Sequence, residues 1–247
     1  MFTVALIGAD GAGKTTVARA VESSLPLPVR YMYMGISPLS SNYALPTTRL
    51  ISRVKRALGL KPDIAGPPDP TRRPARPRSL PRRLLWTAKS LLHLANRLGE
   101  EAYRQAVAWW FRRRGIIVVS DRDFFIDYFA YDVANPDPNR SLASRLHGFV
   151  LTRFYRRPDL VIMLDAPAEL LFARKGEGSV ELLERRRQEY LQLREHVRQF
   201  VIVDATQSQA EVLHDVTAII LRVAAGEEPA HDDVSPRLAA PLPEADS

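Results

Sequence analysis

The segment Gly8-Ala9-Asp10-Gly11-Ala12-Gly13-Lys14-Thr15 carries the spacing G-x-x-x-x-G-K-[ST], which suits the gripping of a polyphosphate. Glycines let the chain curl so that successive backbone N–H groups point inward at phosphate oxygens. A helix that starts just after the loop adds its positive end. In that setting Lys14 reaches the β- and γ-phosphates of a nucleoside triphosphate, and the Thr15 hydroxyl holds Mg2+. An apolar run at Val4–Ile7 precedes the loop and a helical pattern follows it. That context disfavours the alternative of a Gly-rich turn with no ligand.

Two further groups could serve the same phosphates. Ser120-Asp121-Arg122 follows directly on an apolar, β-branched run. In open α/β sheets, ligands sit beyond the carboxyl ends of strands. There Asp121 can orient the waters of Mg2+ or an acceptor hydroxyl, and Arg122 can take an acceptor phosphate in a bidentate manner. The plainer explanation is a structural ion pair or a helix cap. Farther on, Ala173-Arg174-Lys175-Gly176-Glu177-Gly178 is followed by Arg185-Arg186-Arg187. Two glycines between cations read as a hinged flap that closes arginines over phosphates and shuts out water. Taken singly, each arginine fits a solvated basic helix face better; the segment as a whole fits the flap.

These residues need a scaffold, and the pattern supplies one. Val4–Ile7, Val29–Met34, Ile116–Ser120, Leu160–Leu164 and Phe200–Val203 read as strands, and Ile116–Ser120 and Leu160–Leu164 are continuous and apolar, as in a parallel sheet covered on both faces. Helices are expected over Gly13–Ser24, about Val180–Gln199 and Gln209–Ala224. The clearest runs through Leu84, Ala88, Leu91, Ala95, Leu98, Ala102, Ala106 and Trp109, one apolar face kept for about seven turns. Gly115 ends it after Arg112–Arg114, where cations suit a helix C-terminus. The alternation predicts an α/β P-loop NTPase fold with about five parallel strands and helices on both faces. One domain over 1–225 is expected, with a Pro/Arg-rich insertion over about 36–82 and an acidic tail over 226–247. The stretch from about Gly35 to Pro81 is expected to be irregular, with the prolines from Pro67 to Pro81 arguing against regular helix. The tail composition predicts disorder.

Composition narrows the chemistry. The 247 residues contain no cysteine, which excludes disulfides, thiolate catalysis and cysteine-ligated zinc. The five histidines, His93, His147, His196, His214 and His231, show no metal-ligand spacing. No stretch approaches the roughly 20 apolar residues that cross a bilayer, and a cytoplasmic protein is expected. The net charge of +7 is uneven: Pro70–Gly99 has no acid, and the stretch from Glu227 has six acids against Arg237 alone. Such a surface favours anionic partners without choosing among nucleotides, nucleic acid and membrane headgroups.

The pieces in this order resemble the thymidylate kinase-like family of P-loop nucleotide kinases. The resemblance rests on GADGAGKTT at Gly8–Thr16, SDRDFFIDYFAYD at Ser120–Asp132, PDLVIMLDAP at Pro158–Pro167, ERRRQEYLQL at Glu184–Leu193 and VIVDATQSQAEV at Val201–Val212. It implies a five-stranded parallel sheet and the use of ATP and Mg2+ to phosphorylate a nucleoside monophosphate. It further implies that Gly8, Asp10, Gly11, Ala12, Gly13, Lys14, Thr15 and Thr16 hold the nucleotide. Lys14 would stabilise the transferring phosphoryl group, and Asp10 would accept a hydrogen bond from an acceptor sugar hydroxyl. Arg122 would hold the acceptor phosphate. Arg174, Lys175, Arg185, Arg186 and Arg187 would belong to the lid, and Asp204, Ala205 and Thr206 would line the adenine pocket. Thymidylate kinases follow the second strand with an Arg-Glu-Pro-Gly-like turn; here Tyr33-Met34-Gly35-Ile36-Ser37-Pro38 has neither Arg nor Glu. The acceptor half is the divergent half.

The leading reading is an ATP-dependent kinase with a small-molecule acceptor, with Lys14, Arg122, Asp10, Asp121 and Arg174 at the reacting groups and Thr15 and Asp121 at the metal. A homodimer is left open. The rivals are a P-loop NTPase that only hydrolyses or switches, and a protein that binds nucleic acid or a membrane surface through the basic insertion.

Overall fold

The computed structural model describes residues 1–37, 41–57, 79–138 and 140–227. The predicted tail beyond 227, and the Pro/Arg-rich stretch over 58–78, lie outside the described residues. Five strands, β1 (Thr3–Ile7), β2 (Val29–Tyr33), β3 (Ile117–Asp121), β4 (Leu160–Asp165) and β5 (Phe200–Asp204), form one sheet in the order β2-β3-β1-β4-β5. β1 pairs in parallel with β3 on one side and β4 on the other, and β4 pairs in parallel with β5. This is the α/β P-loop kinase type of fold that the strand pattern predicts. Every residue of β3 is buried, as are Leu160–Leu164 of β4. That is why these strands read as unbroken apolar runs rather than alternations.

The chain divides into two compact units. The first comprises 1–31, 111–122 and 158–247 and contains most of the sheet. Its register sets Leu6 opposite Asp121, Ile7 opposite Met163, and Asp165 opposite Asp204. The carboxyl ends of β3, β1, β4 and β5 thus lie side by side, with the order reversing about β1, where α/β sheets bind ligands. Helix α1 (Lys14–Ser24) buries Val17, Ala18 and Val21 as its pattern requires. Helices α6 (Ala168–Lys175) and α7 (Val180–Leu191) follow β4, and α8 (Gln209–Ala224) follows β5 behind a Ser208/Glu211 capping box. The helix expected over Val180–Gln199 stops at Leu191 and tightens into a 3-10 turn over Gln192–His196, which carries the buried Leu193.

The second unit comprises 32–110 and 123–157. Within the stretch expected to be irregular, Pro46–Ala57 forms helix α2. Pro46 is its first residue, a position where no N–H is needed. The long helix α3 (Leu80–Arg113) likewise begins before the expected Leu84, with Pro81 in its first turn. Most of its periodic apolar face is exposed, Leu84 at 73% and Trp109 at 50%, with Leu91 and Leu98 half-buried; off that face Leu85 and Leu92 are each 72% exposed. The buried face is instead Leu94, Glu100, Glu101, Arg104, Ala108 and Phe111.

Those buried charges are compensated. Arg104 pairs with Glu100 at 3.2 Å, donates to the Gly35 carbonyl at 2.8 Å and lies over the Phe124 ring. Glu100 also accepts from Leu45 N–H at 3.2 Å. Three elements that the sequence reading did not include complete the unit. Asp123 caps the short α4 (Phe124–Tyr128), and a π-helical turn at Phe129–Val133 leads on to α5 (Leu142–Arg153). Gly148 of α5 crosses that turn so closely that a Cβ would stand 2.0 Å from the Asp132 carbonyl oxygen. Between them His147, fully buried, bridges Asp132 at 2.5 Å and Glu101 at 2.8 Å. Burial acts first to lower its pKa, but its two hydrogen-bonded carboxylates outweigh that and hold it above the ordinary value. Among the described residues no helix is long and apolar enough to cross a membrane.

Candidate functional site

The phosphate loop turns at the end of β1 and packs tightly. Gly8 and Gly11 have φ of 143° and 97°. A Cβ at Gly8 would meet the Leu164 carbonyl at 2.4 Å, and one at Gly11 would meet the Leu171 carbonyl at 2.6 Å. Both the dihedrals and the contacts therefore demand glycine. Gly13, in the left-handed region, is the N-cap of α1 and offers no side-chain cap. No acid stands in the first turn of α1 to compete with an anion at its positive end. Thr16 is exposed there, while Lys14 is buried and donates to the Ala9 carbonyl at 2.8 Å. Ala12 packs inside the loop.

Thr15 Oγ1 donates to Asp121 Oδ2 at 2.5 Å, a pairing that the β1–β3 register makes possible. Asp121 is 1% exposed, and its Oδ1 is buried with no hydrogen-bond partner. A buried carboxylate oxygen without a donor is costly. A divalent cation would satisfy it, so this pair fits Mg2+. Among the described residues no three His, Asp or Glu side chains gather as a metal cage. Mg2+ commonly rests on one or two protein oxygens plus the phosphates themselves.

Three cations, from α1, from the turn after β3 and from α7, converge on Asp10. Arg122 donates to Oδ1 at 2.5 Å, Lys14 Nζ is 3.9 Å from the same atom, and Arg186 of α7 is 3.8 Å from Oδ2. Burial is the largest single influence and pushes the Asp10 carboxyl up. Arg122, Lys14, Lys175 and Arg186 together outweigh it and hold the pKa below the ordinary 3.8. Asp10 is therefore ionised at neutral pH. Arg122 is the non-glycine residue with positive φ among the described residues, at 70°. Such a backbone costs about 1–3 kcal/mol, and it tends to mark sites where a side chain must be aimed.

The rest of the sequence-predicted set lies around the ends of β4 and β5. Arg174 donates to the Ala205 carbonyl at 2.7 Å. Asp204 Oδ1 accepts from the Thr206 backbone and hydroxyl at 2.8 and 2.6 Å, which fixes that turn. Lys175 pairs with Glu177 at 2.8 Å in the exposed tip. The three consecutive arginines diverge: Arg185 faces Glu189 along the helix at 3.8 Å, Arg186 faces Asp10, and Arg187 grips Asp165 at 2.6 and 2.8 Å. Asp165 had no role in the sequence reading. Its signal was an acid closing an otherwise apolar strand, one position before the Ala-Pro that starts α6.

The five-stranded parallel sheet with the loop at the carboxyl end of β1 is consistent with the α/β P-loop kinase class of fold. Over 228 residues, 89% of this chain and 97% of the relative, the chain is 28% identical to a protein of Thermococcus onnurineus (strain NA1) described as "Probable thymidylate kinase". That likeness supports a divergent thymidylate kinase-like chain. No protein-family model matches the chain.

Proposed function

We propose that this protein is an ATP-dependent phosphotransferase of the thymidylate kinase type, moving the γ-phosphoryl group to a small acceptor that is a nucleoside monophosphate or another phosphate or hydroxyl compound. The observation that carries this reading is the meeting of Lys14, Arg122 and Arg186 on Asp10. An arginine that neutralises the equatorial oxygens serves hydrolysis and transfer alike, but a lid that also keeps water away serves transfer alone.

In this reading the loop N–H groups and the start of α1 bind the triphosphate, and Lys14 leaves the Ala9 carbonyl to hold its outer end. Thr15 and Asp121 would hold Mg2+, which draws charge from the phosphate oxygens when bound. Arg122 and Arg186 would exchange Asp10 for phosphate oxygens. An ionised acceptor phosphate needs no base. A hydroxyl acceptor would find an ionised carboxylate at Asp10. Arg174 and the Asp204–Thr206 turn would border the base. The likeness of this chain, at 28% identity, to a protein described as a probable thymidylate kinase supports a nucleotide as acceptor; the turn at Tyr33–Ser37, which lacks Arg and Glu, argues for an acceptor other than thymidylate. A second copy of the chain is the further partner in this reading, supported by the outward apolar face of α3.

The test is incubation with γ-labelled ATP, Mg2+ and a panel of nucleoside monophosphates, nucleosides and sugars. Label is expected on one acceptor class, with Lys14→Ala reducing transfer at least about 100-fold. Free labelled phosphate with no labelled acceptor across the panel would favour the hydrolase.

A further inference from the structure

Arg187 stands apart from its two neighbours. Nε and one Nη donate to the two oxygens of Asp165 at 2.6 and 2.8 Å, and the other Nη donates to Glu184 at 3.3 Å. Only a planar fork can make that two-point grip. Asp165 closes β4, and its carbonyl accepts from Ala205 N–H at 2.7 Å, just past the end of β5. The Ala205 carbonyl in turn accepts from Arg174 of α6 at 2.7 Å. Each helix of the α6–α7 hairpin is thus fastened by one arginine to the adjoining ends of β4 and β5. The hairpin tip holds Gly176 and Gly178, both at positive φ, and its Lys175 and Glu177 are exposed. One residue before Arg187 on α7, Arg186 stands 3.8 Å from Asp10 of the phosphate loop.

We propose that Arg187 is a positioning residue: pinned on Asp165, it fixes where α7 lies so that Arg186 meets the phosphate loop, and it touches no substrate itself. The proposal rests on the phosphotransfer reading and deepens it by dividing the basic run into one working arginine and one pin. Arg187 and Asp165 are 28% and 12% exposed, so screening by water keeps the bridge from being a major source of stability. Its effect is geometric. Misplacing an aligned group by about 1 Å can cost on the order of 100-fold in rate.

The test compares Arg187→Ala, Arg187→Lys, Asp165→Asn and the Arg187→Ala/Asp165→Asn double variant with the parent. Arg187→Ala and Asp165→Asn are each expected to lower kcat about 10- to 100-fold. Affinity for a magnesium–ATP analogue should change less than about threefold, and the melting temperature should stay nearly constant. More ADP should form per acceptor phosphorylated, because a displaced lid admits water. The double variant should be no worse than the singles, since both break one contact. Arg187→Lys, with its charge but no fork, should recover only part of kcat. Losses of kcat, analogue affinity and melting temperature in parallel, or additive losses in the double variant, would overturn the pin. Should the parent phosphorylate nothing, the functional reading fails, and hydrogen exchange judges the pin separately. Arg187→Ala should then speed exchange across Val180–Leu191 while β4 and β5 hold; unchanged exchange in α7 would refute it.

Discussion

Asp10 and Asp123 are both enclosed aspartates, and the structure drives their carboxyls in opposite directions. Asp10 is surrounded by cations and stays ionised. Asp123 is 4% exposed and burial raises its pKa to about 7, only partly offset by the Tyr155 hydroxyl at 3.0 Å and the N–H groups of Ile126 and Phe125. The folded state therefore binds a proton at Asp123 that the unfolded chain, near 3.8, has lost. Its contribution to stability is fully present below about pH 4 and is lost as pH rises through about 7. Asn keeps the cap on α4 and cannot ionise. The melting temperature of Asp123→Asn relative to the parent should therefore climb between pH 4 and 8, read by calorimetry across that range. A constant difference would mean that Asp123 does not titrate there. At this scale the backbone of the loop was legible, because its glycines stand where φ is positive, at Gly8, Gly11 and Gly13. The partners of Arg187 and His147 were not, because they come from Asp165, Glu101 and Asp132, far away in sequence.

Elements were legible in proportion to their burial on both faces. All five strands announced themselves, and α1 and α8 matched their patterns. Helix α3 was found for one reason and built for another. Of its sequence-visible stripe, Leu84, Ala88, Ala95, Ala102, Ala106 and Trp109 lie outward and Leu91 and Leu98 are half-buried, while the Glu100–Arg104 pair is buried. Periodicity reports that a face is apolar, not what covers it. Short α4 and the π-helical turn were invisible because buried aspartates there act as caps and anchors rather than as surface charge. The proposed second copy of the chain would cover the exposed leucines of α3. Sedimentation equilibrium should report two chains for the parent and one for Leu84→Asp/Leu92→Asp, with the fold kept by circular dichroism. An unchanged mass in the variant would remove α3 from the contact.

For the molecule as a whole, the reading rests on one unit holding every residue of the candidate site: the loop, Asp121, Arg122, the α6–α7 hairpin and the Asp204–Thr206 turn. The sheet order and register made this legible, since a P-loop after the first strand needs its acid at the end of a neighbouring strand, and Asp121 stands there. The acceptor was not legible, because the divergent turn after β2 and the stretch over 58–78 have no counterpart in the motifs. The most direct measurement is calorimetric titration of the purified, folded protein with ATP, with and without Mg2+, beside Lys14→Ala. The account predicts saturable one-site binding that strengthens with Mg2+ and weakens about tenfold or more, 1.4 kcal/mol, in Lys14→Ala. No measurable affinity for any purine triphosphate in the presence of Mg2+ would contradict it.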